Sequence, residues 1–184
     1  MQAMRHTTKF VKLGCILLSL VLSGCSSIQQ APGENWSMSG KIGVRSPQQN
    51  LAGFLSWEQT AQGFDVYVSG PLSQGATRII GNSHQVKIEQ NGRTMRGVDP
   101  QQLIEENLGW PFPIENLPFW LKGKTAPNRQ VANIEKDGNR LSSFSQDGWQ
   151  VNYLRYNAYY ELPERIRISQ GDWRFTIIIK NWSV

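Results

Sequence analysis

Trp36-Ser37-Met38-Ser39-Gly40-Lys41-Ile42-Gly43-Val44-Arg45 is the stretch that decides the fold. Trp36, Met38, Gly40, Ile42 and Val44 alternate with Ser37, Ser39, Lys41, Gly43 and Arg45, a period of two that gives an extended strand one apolar face. The same period returns downstream. Leu51–Glu58 carries Leu51, Leu55 and Trp57 on one side, and Phe64–Gly70 carries Phe64, Val66 and Val68, with Gln59–Gly63 as the hairpin loop between them. Ala76–Ile80, Gln85–Gln90 and Arg93–Val98 continue the series, and Asn91-Gly92 suits a type I′ turn. Consecutive strands so closely spaced favour a meander of antiparallel neighbours.

The rhythm breaks after Val98. Asp99 is a good N-cap, Pro100 fits the first helical position, and Gln101–Leu108 extend a helix that Gly109 can close. Gly109-Trp110-Pro111-Phe112-Pro113 is a stiff aromatic connector. A second short helix follows, capped by Asn116, with Pro118 in its first turn and Gly123 at its end. Leu103, Ile104, Leu108, Leu117, Phe119, Trp120 and Leu121 give these helices more apolar surface than one narrow stripe holds.

Strands then resume. Val131–Glu135 and Arg140–Ser145 flank an Asp137-Gly138 hairpin signal, and Asp147-Gly148 turns into Trp149–Tyr156, where Trp149, Val151 and Tyr153 are in phase. Tyr159–Leu162 reads as a strand ending at Pro163, and Glu164–Ser169 with Trp173–Lys180 as a last hairpin. Ile177, Ile178 and Ile179 break the alternation, which predicts that both faces of that strand are covered. The expected fold is mainly β, about ten strands and two short helices, and an antiparallel sheet of that size curls or closes. All seven tryptophans fall from Trp36 onward. They read as an ordinary aromatic core beneath a curled sheet, or else part of the concave face and the apolar helix faces line a pocket for something greasy.

Upstream, Ser26–Asn35 is a polar tether. Before it, Arg5, Lys9 and Lys12 precede the apolar run Leu13–Leu22, which is too short to span a bilayer and reads as a leader. Leu22-Ser23-Gly24-Cys25 resembles a bacterial lipobox. That resemblance implies cleavage before Cys25, acylation of its sulfur and amine, and residues 1–24 as a removed signal peptide; Ser26, in place of aspartate, points to release toward the outer membrane. Residues 25–35 are then an acylated tether and 36–184 a single domain. Loss of three basic residues with the leader lowers the net charge from +5 to +2, so a nucleic-acid reading loses its main support. Cys15 leaves and Cys25 is the lipid site, so no thiol remains for a disulfide or metal.

Catalytic patterns are missing. There is no Gly-x-Ser-x-Gly elbow and no phosphate-cradling glycine loop. His84 is the one histidine after the leader, too few ligands for a metal site, and no cofactor is expected. Glu105-Glu106 and Glu161 with Glu164 read as solvated carboxylates. Ser69-Gly70-Pro71-Leu72-Ser73-Gln74-Gly75 stands apart as a turn whose one large apolar residue is Leu72. Pattern alone favours Leu72 folding back onto the sheet edge over projecting into solvent.

The chain resembles the LolB family of outer-membrane lipoprotein acceptors. The resemblance is carried by Trp36-x-x-x-Gly40-Lys41-Ile42, Trp57-Glu58-Gln59, Gly70-Pro71-Leu72, and Leu108-Gly109-Trp110-Pro111 with Pro113. It continues through Leu117, Trp120-Leu121-Lys122-Gly123, Gln146-x-Gly148-Trp149-x-Val151-x-Tyr153, Leu162-Pro163 and Asn181-Trp182. The family usually has glycine where Ser73 stands. The resemblance implies an incomplete, curved antiparallel barrel with a helical lid over an apolar cavity. That cavity would receive the acyl chains of lipoproteins from the periplasmic carrier LolA, and the cargo would pass into the inner leaflet of the outer membrane. Leu72 matches the membrane-touching prong. Cavity candidates are Ile42, Val44, Leu55, Trp57, Phe64, Val66, Val68, Trp120, Trp149 and Val151. A non-enzymatic monomer, lipid-anchored on the periplasmic face, is expected, and Lys122, Lys124 and Arg129 are candidates for facing an acidic rim on the carrier. The alternative is an assembly lipoprotein that works only through protein contacts.

Overall fold

The computed structural model describes residues 35–184 apart from 74, 83 and 160. The leader, Cys25 and nearly all of the tether lie outside the described residues.

Eleven strands form one sheet, with every neighbouring pair antiparallel. In chain order they are β1 (Trp36–Arg45), β2 (Asn50–Thr60), β3 (Gly63–Ser69), β4 (Thr77–Gly81), β5 (Val86–Gln90), β6 (Arg93–Gly97), β7 (Val131–Asp137), β8 (Arg140–Gln146), β9 (Trp149–Tyr156), β10 (Pro163–Gln170) and β11 (Trp173–Ser183). The spatial order is β6-β5-β4-β3-β2-β1-β11-β10-β9-β8-β7, so the sheet is open and β6 and β7 are its edges. Helices α1 (Pro100–Leu108) and α2 (Leu117–Trp120) lie in sequence between those edges. The segment joining β6 to β7 therefore has to traverse the sheet. It does so on the concave side, where Ile104, Phe112, Ile114, Leu117, Trp120 and Leu121 enter the same core as the inward residues of the strands.

The alternation holds along β1, where Trp36, Met38, Ile42 and Val44 are buried. Between β1 and β11 the register shifts at Ser39/Gly40. A Cβ at Gly40 would lie 2.0 Å from the Ile178 carbonyl oxygen, so this bulge demands glycine. Asn91-Gly92 and Asp147-Gly148 take positive φ at both positions (51° and 74°, 51° and 77°), as type I′ turns require. Asp99 Oδ1 accepts from the Gln102 N–H at 2.9 Å, and Gly109, at φ 69°, closes α1 by donating to the Glu105 carbonyl. Gly123, at φ 74°, ends the turn after α2 in a Schellman arrangement: its N–H donates to Trp120 O and that of Lys124 to Phe119 O.

Three expectations need correction. Tyr159–Leu162 is not a strand: the Asn157 N–H donates to Leu162 O and that of Glu161 to Asn157 O, closing a tight loop, and Pro163 is the first residue of β10. Ile178 is only half-buried. Its register partners Lys41 and Arg165 are both exposed, so this face of β11 carries no second layer. Asn116 makes no cap bond; its amide donates instead to Asp147 Oδ2 at 2.9 Å. The surplus apolar surface expected of the helices is accounted for at Phe119, which is exposed while Leu117 and Trp120 are buried.

Candidate functional site: a covered apolar cleft

A cleft of about 490 Å³ opens at the end of the sheet that carries the β1–β2 and β3–β4 connections. Its floor is Ile42, Val44, Leu51, Gly53, Val68, Thr77 and Ile79, and its roof is Ile104, Leu108, Trp110 and Phe112 from α1 and the connector. The volume lies within the ~300–1,000 Å³ range of small-molecule sites. Leu51 has the expected facing but is about half exposed, because it stands at the mouth.

Of the sequence candidates, Ile42, Val44 and Val68 line this cleft. Leu55, Trp57, Val66, Trp120, Trp149 and Val151 are buried in the packed interior and do not reach its wall. Trp57 stacks on Trp36 at 6.1 Å and leans on Phe64, while Trp149 packs on Phe175. Phe64 lines a separate, more polar hollow with Glu58, Asp65, Lys87 and Arg96. Trp110 is the one tryptophan on the cleft wall among the described residues. Of the roof residues, Ile104 and Leu108 lie on the apolar helix faces that the pocket reading names, whereas Trp110 and Phe112, in the connector, were legible as aromatic but not as lining, since only the β6-to-β7 traverse sets them there. Thr77 and Gln90 carried no signal beyond β-strand alternation.

Leu72 projects. It is 93 % exposed, in the short turn Pro71–Ser73 at the cleft rim, with φ 57° and ψ 30°. The fold-back expected from pattern is thereby overturned. The left-handed backbone, costly for a leucine, carries the side chain off the sheet edge.

Polar contacts fix the cover. Gln146, buried on β8, accepts from Trp120 Nε1–H (2.9 Å) and from the Ala126 N–H (2.8 Å), and its own Nε2 donates to Ala126 O (2.8 Å). Tyr153 donates its hydroxyl to Trp120 O at 2.9 Å; burial pushes that phenol well above its ordinary pKa. Burial likewise pushes Tyr156 up to about 12, against the opposing effect of Arg140. At the other end of the cover, Trp110 Nε1–H donates to Gln49 Oε1 at 2.9 Å. Arg129 bridges Asp147 (2.8 Å) and Glu115 (2.9 Å), and its pKa is raised chiefly by the bond to Asp147. Arg129 thus ties the α2 approach to the β8–β9 turn instead of standing free for a partner.

The groups weighed for catalysis do not converge. His84 is exposed in the β4–β5 loop, where its backbone N–H bonds Asn82 Oδ1. Glu161 pairs with Arg140 and Glu164 with Arg155. Among the described residues no three His, Cys, Asp or Glu gather as a metal site would need, and no helix is long and apolar enough to cross a membrane.

An open antiparallel sheet curled around an apolar cleft, with a helical cover crossing from edge to edge, defines a half-barrel with a covered apolar interior. The chain belongs to the LolB family: the family model described as outer membrane lipoprotein LolB matches residues 34–182. An outer-membrane lipoprotein LolB of Stutzerimonas stutzeri is 37 % identical over 90 % of this chain and 91 % of its own. One of Pseudomonas fluorescens (strain Pf0-1) is 40 % identical over 81 % of this chain and 74 % of its own. A crystal structure described as an outer-membrane lipoprotein-sorting protein domain, from Vibrio parahaemolyticus, superposes with TM-score 0.54 at 7 % identity, covering 81 % of this chain and 84 % of that one. At that identity the likeness is one of fold.

Proposed function

We propose that this protein is a lipid-anchored, non-enzymatic receptor on the periplasmic face of the outer membrane, which takes lipoproteins from the carrier LolA and delivers them into the inner leaflet. The observation that carries the reading is the juxtaposition of a covered apolar cleft with a fully projecting leucine at its rim. Family membership and the names of the relatives support the sorting role and the location. Residues 1–24 as a leader and Cys25 as the acylated anchor rest on the lipobox.

Acyl chains in water cost ~0.8 kcal/mol per methylene, so a dozen approach ~10 kcal/mol for one chain. Free release is negligible at that cost. A cleft that covers the chains somewhat better than the carrier does, and less well than a bilayer, makes each step downhill without a nucleotide. The cover is packed into the core and pinned by a few hydrogen bonds and an ion bridge, so opening exchanges those bonds for water and parts an apolar seam that acyl chains can cover again.

The test is transfer of an acylated lipoprotein from loaded carrier to this chain stripped of its own anchor, followed by insertion into liposomes. Uptake by wild type is expected. Leu72→Glu should take up cargo normally and fail at insertion; equal insertion by mutant and wild type would remove the prong role, and absence of uptake would remove the receptor role. A chain acting only through protein contacts would take up no acylated cargo at all.

A further inference from the structure

The cleft is not uniformly apolar. Thr77 and Gln90 are register partners on β4 and β5, both inward-facing, and Gln90 Nε2–H donates to Thr77 Oγ1 at 2.7 Å. The Thr77 hydroxyl in turn donates to Gly75 O at 3.2 Å. Thr77 is only 4 % exposed, between Ile79 on its own strand and Val68 across the ladder. Polar groups set in a hydrocarbon wall cost stability that a pair of aliphatic residues would avoid.

The two differ in what they leave over. Thr77 has given its one hydrogen to Gly75 and accepts from Gln90. Gln90 has used one amide hydrogen of two, and its second hydrogen and its Oε1 have no partner among the described residues. Asn107 and Gln49 also border the cleft and keep amide hydrogens of their own, but Asn107 stands exposed on the helix and Gln49 is tied through its oxygen to Trp110 in the cover, whereas Gln90 is fixed to the sheet through a buried hydroxyl. Gln90 therefore offers the cleft a free donor held in place by a buried hydroxyl.

Resting on the reading of this cleft as an acyl site, we infer that Gln90, oriented by Thr77, seats the carbonyl oxygen at the head of an acyl chain. An ester or amide carbonyl is an acceptor and needs such a donor. The hydrocarbon then runs from β4 over Val68 and Ile42 toward Phe112. Its polar head emerges beside Gly75, in the connection that also carries Leu72. Acyl esters reach this compartment both on lipoprotein anchors and on phospholipids, and the seat reads the carbonyl they share.

The test is displacement of a fluorescent fatty-acyl probe from the purified protein by monolauroylglycerol and by dodecylglycerol, its ether analogue without the carbonyl. The ester is expected to displace at about tenfold lower concentration, the worth of one hydrogen bond in a sheltered site. Gln90→Leu is expected to bring the ester down to the ether's affinity, and Thr77→Val to narrow the gap. Equal displacement by ester and ether in the wild type overturns the inference without any variant. Lauroyl-lysophosphatidylethanolamine should match monolauroylglycerol within about threefold; a tenfold gap between them means that the headgroup is read instead, and overturns it. Failure of the wild type to take up the probe at all is a different result, which defeats the acyl-site reading itself.

Discussion

Single residues carry costs here that packing does not explain. Leu72 stands in the left-handed region with its side chain in solvent, a conformation that glycine adopts freely and that costs a branched residue about 1–2 kcal/mol. Leu72→Gly is therefore expected to unfold within about 1 kcal/mol of wild type or above it, yet to lose membrane insertion. Denaturant titration beside the liposome assay checks both halves, and a large loss of stability would mean that the leucine is structural. Gly40 is the converse case. Any side chain meets the Ile178 carbonyl, so Gly40→Ala should cost more than about 2 kcal/mol in the same titration. Tyr153 sets a pH limit: its folded pKa lies above the unfolded value near 10, so its contribution is complete below pH ~10 and is lost as pH rises beyond it. Tyr153→Phe should flatten the alkaline loss of stability, measured as melting temperature against pH.

At the scale of elements, the strands and α1 were legible because each carries its own local code. Alternation gave β1, Asn91-Gly92 gave the β5–β6 turn, and Asp99, Pro100 and Gly109 bounded α1 to the residue. What escaped was non-local. Asn116 looks like a cap and is drawn away by Asp147, and Tyr159–Leu162 looks extended but is folded by bonds back to Asn157. The strand part of the cleft lining escaped in the same way, because inward alternation does not separate residues sealed in the packed interior, such as Trp57, from residues that meet a gap, such as Val68. The cover's attachment depends most on Gln146, whose three bonds join β8 to Trp120 and Ala126 inside the core. Gln146→Leu leaves an indole N–H and two backbone groups unpaired, and is expected to cost about 3 kcal/mol. Arg129→Ala, at a largely exposed bridge, should cost under about 1 kcal/mol. A reversal of that order in chemical denaturation would move the cover's anchorage from the core to the ion bridge.

For the molecule as a whole, the order of the strands decides how the cleft can open. The two halves of the sheet are joined through β1 and β11, which pair along almost the whole of β1, and its far edges are joined by the helical traverse. Opening therefore has one direction that leaves the sheet intact: the traverse lifts while β1 and β11 stay paired. On the proposed function some opening is needed, since a volume of about 490 Å³ is small for an anchor acylated on both sulfur and amine, which carries more than one chain. The added chains must be covered by surface now sealed between the traverse and the floor, where Phe112 meets Phe175 and Trp120 meets Phe144. Hydrogen exchange is the measurement that reads this, because it resolves local opening from global unfolding. On loading with a triacylated lipopeptide, amides across residues 100–126 are expected to change protection while those of β1, β10 and β11 keep theirs. Unchanged exchange in the traverse at saturating lipopeptide would mean that the chains are held outside the half-barrel, and loss of protection in β1 and β11 would mean that the sheet itself parts to admit them.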